Sequence, residues 1–493
     1  MSARQSGRAG WREWGGLTLL ALPTMLLGLD VTALYLVVPS LATDLDPTAT
    51  ETLWIMDAYG FFIAGFLVTM GTLGDRVGRR RLLMIGMTAF GVASVGAAFA
   101  PSALWLIVAR ALLGVAGATL MPSTLSLISN MFTDARQRAL AIGVWATMFA
   151  LGMAAGPVVG GALVAGFWWG AVFLIAVPVT ALVLAGAPAL LPEFQTRAGR
   201  LDLVSVGLSL AAMLPVIYAI KHVAAHSLDL QALVAVLLAG GSAVAFVRRQ
   251  LRLAEPLLDI TLFTSRAFSS ALTVLFIGLA GFGGVMFLVS QYLQLVAGLS
   301  PTTAGLWMGP PALAMLVGAI GAPLLAGRVS PGIVMAATLA LSLVGYALLA
   351  MAGTDHELTV VTGFAFVYLG LGVIAALGTD IVVGATPPEK SGAAAALSET
   401  VQELGIAAGV ALLGSLTMAS YRTAVEVPPG PGHVTADDAR AAFTSGLNTA
   451  AVAAGIAIAA ASLICFATLR HVRPVGEAGL EPITSNRGSG DDG

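Results

Sequence analysis

GTLGDRVGRRRLL, residues 71–83, decides how this chain folds. It holds one acid, Asp75, among four arginines, Arg76, Arg79, Arg80 and Arg81, with glycines at Gly71, Gly74 and Gly78. It joins two apolar runs, near 52–74 and 81–100, each matching the length of about 20 apolar residues that a membrane span needs. A short, arginine-rich connection between two spans belongs on the cytoplasmic face. A degraded copy, LLAGRVSPGIV at 324–334, joins another such pair. Both copies then lie on one face, so the two halves of the chain run parallel, related by an axis along the membrane normal.

Composition agrees. Of 493 residues, 58% are hydrophobic and only 10% charged, with a mean hydropathy of +0.91; a soluble protein carries about 25% charged residues. The expected class is an all-α integral membrane protein. A net charge of −2 names no partner, and nucleic acid is not expected as one. The single cysteine, Cys465, excludes an intrachain disulfide. Arginine outnumbers lysine 22 to 2, and alanine and glycine abound, which by codon usage suggests a GC-rich bacterial genome. The N-terminus resembles a signal-peptide n-region, but the apolar run after it is long and contains Asp30, so an uncleaved first helix is expected.

Fourteen candidate spans fall near 15–40, 52–74, 81–100, 103–129, 139–164, 168–191, 202–220, 229–247, 267–295, 301–326, 331–352, 358–385, 392–420 and 444–470. With the N-terminus inside, 20 lysines and arginines lie inside and 3 outside, and Arg110 lies within a helix. That asymmetry sets the orientation, with both termini in the cytoplasm of a bacterial inner membrane. The chain divides into a cytoplasmic start (1–14), a six-helix bundle (15–191), an inserted two-helix hairpin (202–247), a linker (248–266) suited to a helix lying on the inner surface, a second six-helix bundle (267–470) and a disordered polar tail (471–493).

These segments carry a resemblance. GTLGDRVGRRR resembles the loop signature of the major facilitator superfamily. LIVARALLGVAGATLMPSTLSLI resembles its helix-4 signature, with the arginine at Arg110. ALGMAAGPVVGGALV resembles the helix-5 antiporter signature G-x-x-x-G-P-x-x-G-G, placed here on Gly152, Gly156, Pro157, Gly160 and Gly161. LDVTALYLVVPSLATDL and EPLLDITLF resemble the fourteen-helix drug:proton antiporter branch, and LWIMDAY, LMPSTLSLI and SETVQELG look most like Qac-type multidrug pumps. The resemblance covers about 15–470 and implies the major facilitator fold, two six-helix bundles plus the inserted pair. Some such pumps carry an acid in helix 10; 301–326 has none, so that role is not carried over.

No phosphate-binding loop exists: Lys390 follows Glu389, and Lys221 sits in Ala-Ile-Lys-His. HExxH and Cys/His clusters are absent too, so neither ATP hydrolysis nor a metal is expected, and no cofactor beyond an ion gradient. A charge moved through 100 mV supplies about 2.3 kcal/mol. A gradient-driven pump needs titratable groups inside the bilayer, and these are Asp30, Asp57, Arg110, Asp380, Glu399 and Glu403. Each costs about 2.5–3.5 kcal/mol to insert, so each should face the interior or a partner. Glu399 and Glu403 sit one above the other on one helix face. Low dielectric and a like charge one turn away both favour the neutral acid, so the pair could take and release a proton as a unit, and a lipophilic cation could compete for its charge. The bland alternative has the glutamates bonding Ser398, Thr400 or Gln402 throughout. Asp30 is read as a coupling or substrate group, Asp57 as a substrate-attracting charge or a solvated helix end. Arg110 is an interior counter-charge to an acid or to carbonyls, and the resemblance implies a part in proton coupling.

The helix-5 glycines recur every four residues and permit close helix contact; the resemblance adds that this face closes the cavity in antiporters. Residues 71–83 are an anchor by charge, and the resemblance implies an inter-domain latch in which Asp75 meets a helix N-terminus near Pro331. Aromatic and polar residues proposed to line a cavity are Tyr35, Trp54, Trp145, Phe149, Gln291, Tyr292 and Trp307, with Tyr59 beside them. The expected function is proton-coupled export of hydrophobic, organic-cation drugs, dyes or antiseptics by alternating access, from a monomer in the lipid bilayer. The alternatives are a dedicated natural-product exporter, a lipid exporter and, from another class, a membrane sensor without transport.

Overall fold

The computed structural model describes residues 9–193, 202–226, 229–253, 256, 258–386, 391–426 and 435–472. The expected tail lies, from 473 onward, outside the described residues. The described chain forms fourteen long helices: α1 (Trp11–Leu45), α2 (Ala49–Val77), α3 (Arg79–Ala98), α4 (Ala103–Met131), α5 (Ala135–Gly166), α6 (Ala171–Leu190), α7 (Leu203–His226), α8 (Leu230–Gln250), α9 (Arg266–Val296), α10 (Pro301–Ala326), α11 (Pro331–Ala350), α12 (Glu357–Gly384), α13 (Ser391–Glu426) and α14 (Ala436–Leu469). Among them, 12 are long and apolar enough to cross a membrane. The other two are α2, whose charged residues include Glu51, Asp57 and Arg76, and α7, whose apolar run covers Leu203–Val216.

The helices start where polar caps meet apolar runs. Thr48 accepts from the Glu51 backbone N–H while the Glu51 side chain accepts from the Thr48 N–H, which satisfies two orphan donors of α2. Ser102, Asp134 and Ser300 cap α4, α5 and α10 in the simpler way, with Pro301 at the first position of α10. Gly78 joins α2 to α3 without a loop; its φ of +109° is open to glycine and strained for other residues.

The 248–266 linker differs from the expected surface helix. Among its described residues, the regular element after the end of α8 at Gln250 is one 3-10 turn, Ile260–Thr264. Pro256 brings no N–H for a helix, and Asp259 caps Thr261 while Ser265 starts α9.

Side-chain contacts fix two ends of the bundle. Arg12 of α1 donates to Ala189 O at the end of α6, and Ser330 before α11 donates to Leu469 O at the end of α14. This is the near end, where α1 begins and α14 finishes. Trp168 donates to Ala98 O at the opposite, far end.

Both halves repeat one packing scheme. α1 lies on α5 and α2 on α4, as α9 lies on α13 and α10 on α12. α3 contacts α4 and α6, as α11 contacts α12 and α14. The halves meet where α2 touches α13 and α5 touches α10, a pair of seams that the repeat interconverts. α1 is central and mostly buried, whereas α8 is peripheral and mostly exposed. The α7–α8 hairpin leans through α7 on α2 and α13, outside one seam. It is stapled at the near end by Arg249 to Asp202 (2.8 and 2.9 Å) and Gln250 to Ser205 (2.7 Å). At the far end His222 pairs with Asp229 at 2.8 Å. The Arg249 guanidinium holds the Asp202 carboxyl well below the usual carboxylate range.

Candidate functional site

Arg110 of α4 and Asp30 of α1 meet in the first half. The guanidinium Nη1 lies 2.6 Å from Asp30 Oδ2, with side-chain exposures of 2% and 8%, so the pair is withdrawn from water. Arg110 Nε also donates to Ile55 O of α2 at 3.1 Å, and the guanidinium stands 4.7 Å from the Tyr59 ring centre and 6.0 Å from that of Phe173. One arginine thus ties α1, α2, α4 and α6. A buried pair of this kind contributes little net stability intact, and breaking one partner costs about 3–5 kcal/mol.

Glu403 comes to this cluster from the second half. It is buried, and the space beside Gly60 of α2 ends 3.8 Å away at Glu403 Oε2 and 3.2 Å away at Ala407 Cβ. Glycine at 60 therefore lets α2 and α13 touch. Glu403 is within electrostatic reach of Glu399, Asp30 and Arg110, and Tyr59 of Asp30, Glu403 and Arg110. Buried Tyr35 is within reach of Asp57, Glu403 and Arg110. Asp57 is 1% exposed, so it is an interior group rather than a solvated helix end. Glu399, one turn nearer the near end, is half-buried. The structure thus gathers Asp30, Asp57, Arg110, Glu399 and Glu403 around the join of the two halves. Chemically this is a desolvated group of carboxylates with one fixed guanidinium, able to hold a proton or an organic cation.

Two polar neighbours of the glutamates, Ser398 and Gln402, meet Thr379 of α12. Ser398 Oγ lies 3.1 Å from Thr379 Oγ1, and Gln402 Nε2 donates to both hydroxyls at 3.3 and 3.4 Å. This network ties α12 to α13.

The aromatic candidates scatter. Tyr35 sits at the cross-half seam, 6.3 Å from the Phe287 ring. Trp54 stacks edge-on with Phe61 and lines a cleft of about 610 Å³ against the hairpin, with Leu214, Tyr218 and Val234. Trp145 Nε1 donates to Thr124 at 3.0 Å and so joins α5 to α4. Phe149 and Trp307 are half-buried against the core. Tyr292 donates to Gly353 O at 2.5 Å, and so belongs to the α11–α12 connection at the far end rather than to the gathered acids. Gln291 Nε2 donates across the halves to Tyr35 O at 3.0 Å.

The helix-5 glycines do two jobs. A Cβ at Gly152 would strike Met25 O, and one at Gly156 would strike Thr32 Oγ1. One at Gly160 would lie 2.7 Å from Ala33 O. All three press α5 on α1 within the first half. Gly161 faces Pro301, and Gly305 faces Pro157, so the same helix closes on α10 of the second half. Thr302 Oγ1 donates to Gly161 O at 3.2 Å across that contact. These cross-half bonds sit at the far end, where the halves are shut.

The 71–83 segment, the end of α2 and the start of α3, is clamped to its own half. Arg80 N–H donates to Glu193 Oε1 at 3.1 Å, Arg80 Nη1 to Leu191 O at 3.0 Å, and Glu193 lies 3.5 Å from Arg80 and 3.9 Å from Arg81. Arg79 donates to Pro122 O at 3.3 Å, and a Cβ at Gly74 would press on that arginine's side chain. A Cβ at Gly78 would lie 2.5 Å from Glu193 Oε1, so glycine there admits the carboxylate. The Asp75 side chain, on which the expected latch near Pro331 depends, lies outside the described residues. Glu193 was missed from the sequence. The signal was there: a lone acid just past α6, at the end where the arginines cluster.

Residues 20–410 match the model of the Major Facilitator Superfamily. The chain is 44% identical over 479 residues to the multidrug efflux pump LfrA of Mycolicibacterium smegmatis, covering 96% of this chain and 93% of that one. It is 35% identical over 424 residues to the methyl viologen resistance protein SmvA of Salmonella typhimurium, covering 85% and 86%. Among solved structures, a bacterial homologue of the human lysosomal transporter Spinster, inward-facing and unoccupied, superposes with a TM-score of 0.64 at 15% identity, covering 94% of this chain and 98% of that one.

Proposed function

Because the chain belongs to the Major Facilitator Superfamily and is a transporter rather than an enzyme, we propose that it exports hydrophobic drugs in exchange for protons, with organic cations as the main cargo. The observation that carries this reading is the buried join of Asp30–Arg110 with Glu403, carboxylates from both halves around one fixed guanidinium. A carboxylate there is cheap to move across the membrane only when protonated or paired with a cation. Proton and cation compete for the same charge, which makes their flows opposed. Glu399, half-buried below Glu403, is the first group that cargo arriving from the near end would meet.

With both termini in the cytoplasm of a bacterial inner membrane, the closed far end is the outer one. The relatives named for multidrug efflux and methyl viologen resistance support a cationic, broad cargo. A tetracenomycin C resistance and export protein, 31% identical, supports dedicated natural-product export as the second reading. The higher identity to LfrA favours the first.

The test uses proteoliposomes with a trapped pH dye and added ethidium or a quaternary ammonium compound. Proton movement driven by the cation is expected, and lost in Glu403→Gln and Asp30→Asn. Wild-type vesicles that move no protons with any cation would overturn the cationic antiport reading and bring natural-product or lipid export forward.

A further inference from the structure

Pro39 lies inside α1. It has no N–H, so the helical bond that residue 39 would donate to Tyr35 O is absent. A freed carbonyl in a membrane helix needs another donor. Gln291 Nε2 of α9 supplies one at 3.0 Å, and Ser290 Oγ lies 3.3 Å from the same oxygen. Ser290 has one hydroxyl proton and points it at Phe287 O, 2.7 Å away in its own helix, so Gln291 is the working donor and Ser290 the reserve.

α5 shows the same chemistry used differently. Pro157 frees Met153 O, and Thr32 Oγ1 of α1 donates to it at 2.9 Å. α1 and α5 belong to one half, so that bond survives any motion of half against half. The Tyr35–Gln291 bond crosses between halves at the closed far end, so it exists only while that end is shut.

We propose that Pro39, Tyr35 O and Gln291 form a latch on the far end. Opening removes the donor and exposes the carbonyl to water; closing requires the donor to return, or the oxygen is buried bare. Gln291 is thus a positioning residue for the gate rather than a wall of the cargo site. The proposal rests on alternating access and not on the cargo or the coupling ion.

The experiment measures the distance between spin labels at Asp44→Cys and Met351→Cys, in a Cys465→Ser background in nanodiscs without cargo. Both label sites are exposed, at the far ends of α1 and α11, one on each half. A single short distance population is expected with native Ser290 and Gln291. Ser290→Ala with Gln291→Leu should raise the open-to-closed ratio roughly tenfold, the scale of a stranded buried acceptor. Pro39→Ala restores the helical N–H to Tyr35 O. In that background the same two changes should shift the ratio much less, because the carbonyl is never bare. An unchanged ratio in the Ser290→Ala, Gln291→Leu protein overturns the latch. So does a shift of equal size in the Pro39→Ala background and in the chain that keeps Pro39. Failure of the antiport reading would appear in the vesicle assay and leave these distance populations untouched.

Discussion

Arg110 ties four helices of the first half together. It has two jobs that pull apart under mutation. As a counter-charge it neutralises Asp30, and as a donor and cation it holds Ile55 O and the Tyr59 ring. Asp30→Asn keeps the shape and removes the anion, leaving a cation buried beside a neutral amide. Breaking such a pair costs about 3–5 kcal/mol, enough to lower the melting temperature markedly. Replacing both, as Asp30→Leu with Arg110→Met, removes the uncompensated charge and should recover much of that loss. Thermal melts of the purified variants check this: Asp30→Asn less stable than the double variant is the expected order, and the reverse would mean that packing rather than charge dominates. Glu193 allows the same separation of roles. Glu193→Gln keeps an acceptor for the Arg80 N–H and loses both ion pairs. These pairs are partly solvated, so a loss of about 1 kcal/mol or less is expected. The effect should appear as faster trypsin cleavage after Arg80 and Arg81 rather than as a large drop in melting temperature.

At the scale of helices, glycine identity decides which pairs may touch. Membrane helices gain little from burying apolar surface in each other, so close approach through small residues does the holding. α5 offers its own control. A Cβ at Gly156 strikes Thr32 Oγ1, whereas one at Gly143 meets nothing within 4 Å. Gly156→Ala should therefore destabilise by about 1–3 kcal/mol through forced separation of α1 and α5. Gly143→Ala should be neutral or gain up to about 1 kcal/mol of helix propensity. Melting temperatures that move together would refute the close-packing account. This contrast also marks what was readable in advance. The every-fourth glycine rhythm is local, and so are the spans, the repeat and the acids one turn apart in α13; a single chain carries all of them in plain view. Partnership is not local. Asp30 and Arg110 lie 80 residues apart, and Tyr35 and Gln291 lie 256 apart. A polar side chain in a span, such as Gln291, invites a cavity reading, but sequence alone does not reveal what it bonds. Its actual partner exists because Pro39, in another half, leaves a carbonyl without its helical bond. Composition likewise suggested a surface helix at 248–266, but one proline and an aspartate cap outweigh the amphipathic pattern there.

For the whole molecule, the question is which parts respond to pH. The two halves meet around buried acids, while the inserted hairpin is held by Asp202–Arg249 at its near end. These must be told apart before any pH profile of transport is assigned. The folded Asp202 carboxyl lies well below the usual carboxylate range because Arg249 hydrogen-bonds it. Its stabilisation is therefore fully present above the unfolded value, about 4, and is lost only as pH falls through the lower folded value. Between pH 5 and 9 the staple keeps its charge. Protease cleavage at the near end of the hairpin, around Arg248 and Arg249, should then be flat over that window in the native protein. Asp202→Asn removes the pair, so cleavage should rise about two- to fivefold, the scale of a half-exposed ion pair, and again stay flat with pH. If transport changes with pH over the same window while near-end cleavage does not, the Asp202–Arg249 staple is not the pH-responsive element, and Glu399→Gln and Glu403→Gln at the join of the halves are the variants whose pH profiles decide between the remaining groups. If cleavage and transport change together, the hairpin is part of the pH response, and its lean on α2 and α13 offers the route by which it would act on the seam.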